Sequence, residues 1–211
     1  TYNALIGSAN KAAVIENVHV TDIELAISNR VGGIIGELYE AGRITNCSVI
    51  SILLLDALTS NSNSDLMIGG IAGSLTDSII ENSYVQDLNF ETEISSINGM
   101  GGVAGLCQNS TIVNVYATGI IKANSQNVGG IVGYDPYSIN LTNAYSNVNI
   151  HTTQGNVGGI IGQLVNNSSQ VTNTLVLGDI YSRSSENIRR TVGNRNINQN
   201  NYAWNNQHMN G

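Results

Sequence analysis

The chain has 211 residues, with 23 glycines, a single proline, 41% apolar positions and only 11% charged ones, for a net charge of −7. That balance leaves no basic stripe to displace phosphate counterions, which argues against nucleic acid, and no apolar run reaches membrane-spanning length, which argues against insertion. β-Branched residues abound while the Leu, Glu, Lys and Ala enrichment of helical proteins is missing, so neither disorder nor a helix bundle fits.

In chain order, residues 1–25 read as a degenerate first copy of a repeat. Leu5-Ile6-Gly7 is followed by Ile15-Glu16-Asn17-Val18-His19-Val20. The clear copies begin at Val31-Gly32-Gly33-Ile34-Ile35-Gly36. The same phrase returns at residues 68–73, 100–105, 128–133 and 157–162, with first glycines 37, 32, 28 and 29 residues apart. A self-similar period of this size marks a solenoid. Thr1 opens without a signal-peptide pattern and the array starts and stops mid-pattern, which reads as a fragment of a longer parent.

A second phrase comes after each glycine phrase: Ile44-Thr45-Asn46-Cys47, Ile80-Glu81-Asn82-Ser83, Ile112-Val113-Asn114-Val115, Leu141-Thr142-Asn143-Ala144 and Val171-Thr172-Asn173-Thr174. Its alternation of apolar and exposed-type residues is the period-2 signature of a half-buried strand. A third short strand, such as Ile120-Ile121-Lys122 or Val148-Asn149-Ile150, completes each unit. One three-strand coil cannot bury its apolar columns alone, whereas stacked coils pair in parallel and share an interior.

The expected fold is therefore all-β, a parallel β-helix of six to seven coils with three short strands per coil. It is right-handed because parallel crossovers nearly always are. Residues 1–211 form one domain, with residues 191–211, including Trp204, as its C-terminal cap. The asparagines Asn17, Asn46, Asn82, Asn114, Asn143 and Asn173 are expected to stand in file. There Asn tolerates a left-handed bend and its amide can bond to the coil above. Residues 59–65 and 182–187 read as polar loops, and Arg189, Arg190 and Arg195 as a solvated terminal cluster.

Chemistry is sparse. The histidines His19, His151 and His208 are scattered and no His-Glu-x-x-His occurs, so no metal, cofactor or catalytic residue is assigned. The glycine phrases lack the Lys-Ser/Thr of a phosphate loop and the Asp of a calcium repeat. Glu16 and Glu81, and likewise Asp22 and Asp87, share columns two coils apart. That spacing is compatible with a two-carboxylate hydrolase, but solvated acids are the simpler explanation. Cys47 and Cys107 occupy different repeat positions and read as buried thiols. The five Asn-x-Ser/Thr sites, at Asn46, Asn109, Asn140, Asn166 and Asn167, match chance in so asparagine-rich a chain.

Two columns are candidates for contacting a partner. Tyr84, Tyr116 and Tyr145 stand two residues after their asparagines, and stacked they form either a flat surface for sugar or peptide or a packing stack. In the glycine phrase, adjacent apolar pairs break strand alternation. Either a glycine-assisted bulge turns both inward, or the column Ile34, Ile71, Val103, Ile131 and Ile160 forms an exposed stripe for a neighbouring domain.

The pairing of Val-Gly-Gly-Ile-Ile/Val-Gly with Ile-x-Asn-x-Tyr about ten residues later resembles the GLUG repeat over nearly the whole chain. The resemblance implies a β-helical segment of a secreted or surface-anchored microbial protein. Adhesin-like molecules and the N-terminal region of zinc metallopeptidases of the immunoglobulin A1-protease type carry such arrays. The ending Asn200-Asn201-Tyr202-Ala203-Trp204 is similar to the stretch just after the array in those peptidases, but their metal motif is absent, so no catalytic residue carries over. The expectation is a non-catalytic extracellular spacer or adhesin-like module for host protein or glycan, partnered by other domains of its parent. The alternatives are an accessory segment of such a protease and, more distantly, a polysaccharide-active solenoid enzyme.

Overall fold

Every strand pairing in the computed structural model, which describes residues 2–55, 65–183, 187–194 and 200–203, is parallel. The strands lie in three sheets running the length of the stack. Each coil contributes a short strand to the first sheet, such as Arg30–Gly32, and another to the second, such as Ile35–Leu38. It gives a longer stretch to the third sheet, such as Ser110–Ala123. Among the described residues the first sheet has seven strands and the second six, which gives the expected six to seven coils of an all-β solenoid.

The three strands divide the sequence differently from the phrases. The glycine phrase spans the corner between the first two sheets, and the second and third strands expected from sequence are one bent strand. Ile79–Thr92, Ser110–Ala123 and Ile139–Thr152 each run for 14 residues through the asparagine that bends them. The seven asparagines Asn17, Asn46, Asn82, Asn114, Asn143, Asn173 and Asn200 all have φ between 49 and 57°. Asn adopts this left-handed backbone at less cost than other residues with a Cβ.

Their side chains form a one-way ladder. Asn46 donates to Asn17, Asn114 to Asn82 (2.9 Å), Asn143 to Asn114 (2.9 Å), Asn173 to Asn143 (3.2 Å) and Asn200 to Asn173 (3.2 Å). Each amide NH₂ thus faces the coil before it. Backbone bonds join the first coils at the same bend, with Asn17 N–H donating to the Thr45 carbonyl and Asn46 N–H to the Glu81 carbonyl, each at 3.2 Å.

The glycine corner explains the broken alternation. Ile34 N–H and Ile35 N–H both donate to the Ile71 carbonyl, at 3.1 and 3.0 Å. The same doubled bond recurs from Ile71 and Ala72 to Val103, from Val103 and Ala104 to Ile131, from Ile131 and Val132 to Ile160, and from Ile160 and Ile161 to Thr191. Two successive amides on one acceptor is a bulge, and it turns both side chains to the same side. At the first glycine of each phrase a Cβ would overlap the carbonyl oxygen three residues on. At the second it would overlap the backbone of the next coil. Close approach, not left-handed φ, is what requires glycine at these positions.

Both apolar columns are consequently inside. Ile34, Ile71, Val103, Ile131 and Ile160 are fully buried, and so are Ile35, Ala72, Ala104, Val132 and Ile161. The exposed stripe expected as a docking surface does not exist, because the bulge sends it into the core. One hydrophobic cluster runs from Ile15 to Val192. Each fully buried Val, Leu or Ile in it contributes about 1.5–3 kcal/mol of transfer free energy. Cys47 and Cys107 are buried free thiols, as expected. Arg189 and Arg190 are half-buried, not solvated, because Ile188–Arg189 pairs with Val157 and Gly158 of the coil before. Trp204, Arg195, His208 and most of the 59–65 loop lie outside the described residues.

Candidate functional site

The outer face of the third sheet, beyond the asparagine bend, is where the chain displays its most varied side chains. In the arm Val115–Ala123 the residues Val115, Ala117, Ile121 and Ala123 point inward and are buried. Their alternates Tyr116, Thr118, Ile120 and Lys122 therefore stand outside. The next coil places Tyr145, Asn147, Asn149 and His151 over them. The result is a broad face bordered by aromatic rings, with hydroxyl and amide groups across its middle.

Register brings the predicted tyrosines together. His19, Ser48, Tyr84, Tyr116, Tyr145, Leu175 and Tyr202 are consecutive parallel partners. The Tyr84 and Tyr116 rings stack at 4.6 Å with 5° between planes, while Tyr145 tilts by 60° at 6.4 Å from Tyr116. All three are half-buried, so each ring packs on its neighbour and still offers an edge or face outward. Burial, and secondarily the neighbouring Tyr84 hydroxyl, raises the Tyr116 phenol above its ordinary value of 10.0.

The acid columns are accounted for by structure. Asp22 and Asp87 lie in left-handed backbone, at φ 52 and 55°, with Ser51 between them at 61°. All three sit at a second bend in the third sheet. Glu81 is engaged by Arg43 of the preceding coil, and Glu16 is exposed beside Thr45. His19 Nδ1 lies 2.8 Å from the Ser48 hydroxyl, and the His151 ring is 5.9 Å from that of Tyr181. Among the described residues no three His, Cys, Asp or Glu side chains gather as metal ligands would.

Sequence reasoning missed a second asparagine ladder in the first sheet. Asn156 donates to Asn127 Oδ1 at 2.7 Å, and Asn127 donates to the Asn98 carbonyl at 2.7 Å. Its signal was the Asn that immediately precedes Val-Gly-Gly at 127 and 156. Also unrecognised was a cleft of about 360 Å³ at the far border of the same outer face, lined in part by Glu91, Lys122, His151 and Tyr181.

Comparison with known proteins agrees with this architecture. The GLUG motif matches residues 27–51, which bears out the resemblance read from the repeats. Halomucin of Haloquadratum walsbyi is 32% identical over 129 residues, a match that covers 57% of this chain and 1% of halomucin. The crystal structure of a candidate immunoglobulin A1 protease from Bacteroides ovatus superposes with a TM-score of 0.64 at 23% identity. That match covers 99% of this chain and 61% of the other, and it is a likeness of fold. The chain thus spans a small part of the one relative and less than two thirds of the other. What these comparisons and the geometry share is a repeat architecture, a parallel β-solenoid with a GLUG motif at residues 27–51.

Proposed function

We propose that the chain is a non-catalytic, rigid segment of a larger extracellular or cell-surface protein. It holds neighbouring domains apart and presents the outer face of its third sheet to a host protein or glycan. The observation that carries this is the single core from Ile15 to Val192, shared by every coil. No coil hinges on its neighbour without breaking parallel ladders in three sheets at once. Placement outside the cell is supported by the likeness to a mucin-type protein and to a protease named for an antibody substrate.

Within that reading the column Tyr84, Tyr116 and Tyr145 is the proposed contact. Aromatic rings supply large, rigid area at low entropic cost, and these three line up on successive coils of the outer face. The test is a purified panel of host-secreted proteins and glycans presented to the chain and to the variant Tyr84→Ala/Tyr116→Ala/Tyr145→Ala. Binding that the variant loses supports the contact, and equal binding to both removes it. A chain that binds nothing on the panel while scattering as a rod of fixed length is a spacer alone.

The likeness of fold to the Bacteroides ovatus protein favours one second reading, an accessory segment of a secreted protease. A His-Glu-x-x-His downstream in the parent reading frame selects it, and a parent of repeats only rejects it.

A further inference from the structure

The cleft at the far border of the third sheet combines four coils that the sequence does not visibly align. Glu91 pairs in register with Lys122, Lys122 with His151, and His151 with Tyr181. Two residues beyond this row lie Asn124, Thr153 and Arg183, which also line the cleft. Its volume of about 360 Å³ falls at the small end of ligand pockets.

The charges are ordered along the stack. The two acids of the lining, Glu91 and Glu93, are on the third coil, with Lys122 on the fourth and Arg183 on the sixth. The two cations therefore straddle the coil that carries His151 and Thr153, about 10 Å apart along the stack. Lys122 meets Glu91 at 3.3 Å, but both side chains are largely exposed, so the pair is weak enough for another anion to compete. Arg183 has no ionic partner among the described residues. Its planar guanidinium can donate two parallel hydrogen bonds to a carboxylate.

The remaining lining points to a sugar. Thr153 donates to Asn124 Oδ1, and Gln154 donates to the same oxygen at 2.9 Å. The hydroxyl and amide groups here both give and accept hydrogen bonds, as sugar hydroxyls do. Tyr181 is 40% exposed, and its ring lies at 34° to that of His151. The two rings are not stacked flat on each other, and the exposed part of Tyr181 is available to a pyranose. Apart from the Tyr181 and His151 rings, Ala123 is the one apolar side chain in the lining, so most of its residues are hydrogen-bonding or charged.

We infer that this cleft binds a carboxylated saccharide, with its carboxylate between Lys122 and Arg183, its ring against Tyr181 and its hydroxyls on Asn124 and Thr153. The site goes beyond the tyrosine contact proposed above and does not depend on it, because Tyr84, Tyr116 and Tyr145 occupy the opposite border of the face.

Calorimetric titration of the whole chain with 3′-sialyllactose and with trigalacturonate, and with lactose and cellotriose as neutral probes, tests it. One or both acidic probes are expected to bind about tenfold or more tightly than the neutral ones, since a hydrogen-bonded charge pair is worth at least that factor. Which acidic probe binds separates sialic from uronic acid sources. Arg183→Gln and Tyr181→Ala should each weaken binding about tenfold, with Tyr137→Ala, at an exposed residue outside the cleft lining, at wild-type affinity. If Tyr181→Ala melts early, Lys122→Gln replaces it. Equal affinity for acidic and neutral probes, no saturation by either acidic probe, or an Arg183→Gln protein that binds like the wild type overturns the site.

Discussion

The rings of Tyr84 and Tyr116 lie nearly parallel at 4.6 Å, one coil above the other, whereas Tyr145 turns away at 60°. Stacking at this distance comes from the strand spacing, since identical side chains on adjacent rungs are held about 4.8 Å apart. A double-mutant cycle with Tyr84→Leu and Tyr116→Leu should give a coupling of about 0.5–1.5 kcal/mol in denaturant unfolding. The Tyr116/Tyr145 cycle should give less. Equal couplings would mean that the stacked pair gains nothing from its geometry.

Asn114 combines a left-handed backbone with two ladder bonds, one given to Asn82 and one taken from Asn143. Asn114→Gly keeps the backbone and loses the bonds, at a cost of about 1–3 kcal/mol. Asn114→Ala adds about 1–2 kcal/mol for the left-handed conformation. Chemical denaturation of the two variants measures each part separately, and an alanine variant no less stable than the glycine one contradicts the assignment.

Gly130 has the Gly159 carbonyl of the next coil where its Cβ would go, and a backbone atom in a ladder cannot step aside. Gly130→Ala should cost more than about 3 kcal/mol or prevent folding. Gly7 of the first coil meets nothing nearer than the Tyr2 side chain at 3.6 Å, so Gly7→Ala should stay within about 0.5 kcal/mol of wild type. Thermal melts of the pair decide it.

Burial raises the Cys107 thiol well above its ordinary 9.0, with the Asp135 carboxylate adding to the effect, and burial raises Cys47 too. Because the thiolate is the nucleophile, neither should react with an alkylating agent at neutral pH until the chain unfolds. The folded chain keeps thiol protons that the unfolded chain releases above pH 9.0. This part of the stability is therefore complete below that pH and is lost as pH rises through the raised folded values. Cys107→Ala should flatten the alkaline fall in unfolding midpoint. An unchanged slope would place its cause elsewhere.

The sequence carried the stack because the stack is made of like residues meeting. Asn17 through Asn173 and the glycine pairs recur with their neighbours, and they stand in file. The direction of Ile34 and Ile35 was not legible. Alternation holds only for a regular strand, and the doubled bond to the Ile71 carbonyl makes the corner irregular. The cleft was illegible for a related reason. Tyr84 pairs with a residue 32 further on, but beyond the bend at Asp87 the register shifts, and Glu91 pairs with one only 31 further on. No repeated letter flags that slip, and Glu91, Lys122, His151 and Tyr181 share no side-chain type that alignment by eye would catch.

Since all five side-chain amide bonds of the ladder run from one coil to the coil before it, the rod has a grain, and its two ends are chemically unlike. A coil spliced in anywhere with its own Asn finds a waiting acceptor on one side and a waiting donor on the other. It needs no new interior, only one more layer of the old one. Length in such a molecule is a quantity that gene duplication can dial in steps of about 4.8 Å per coil. A change of reach therefore leaves the cross-section, and whatever the side walls display, as it was.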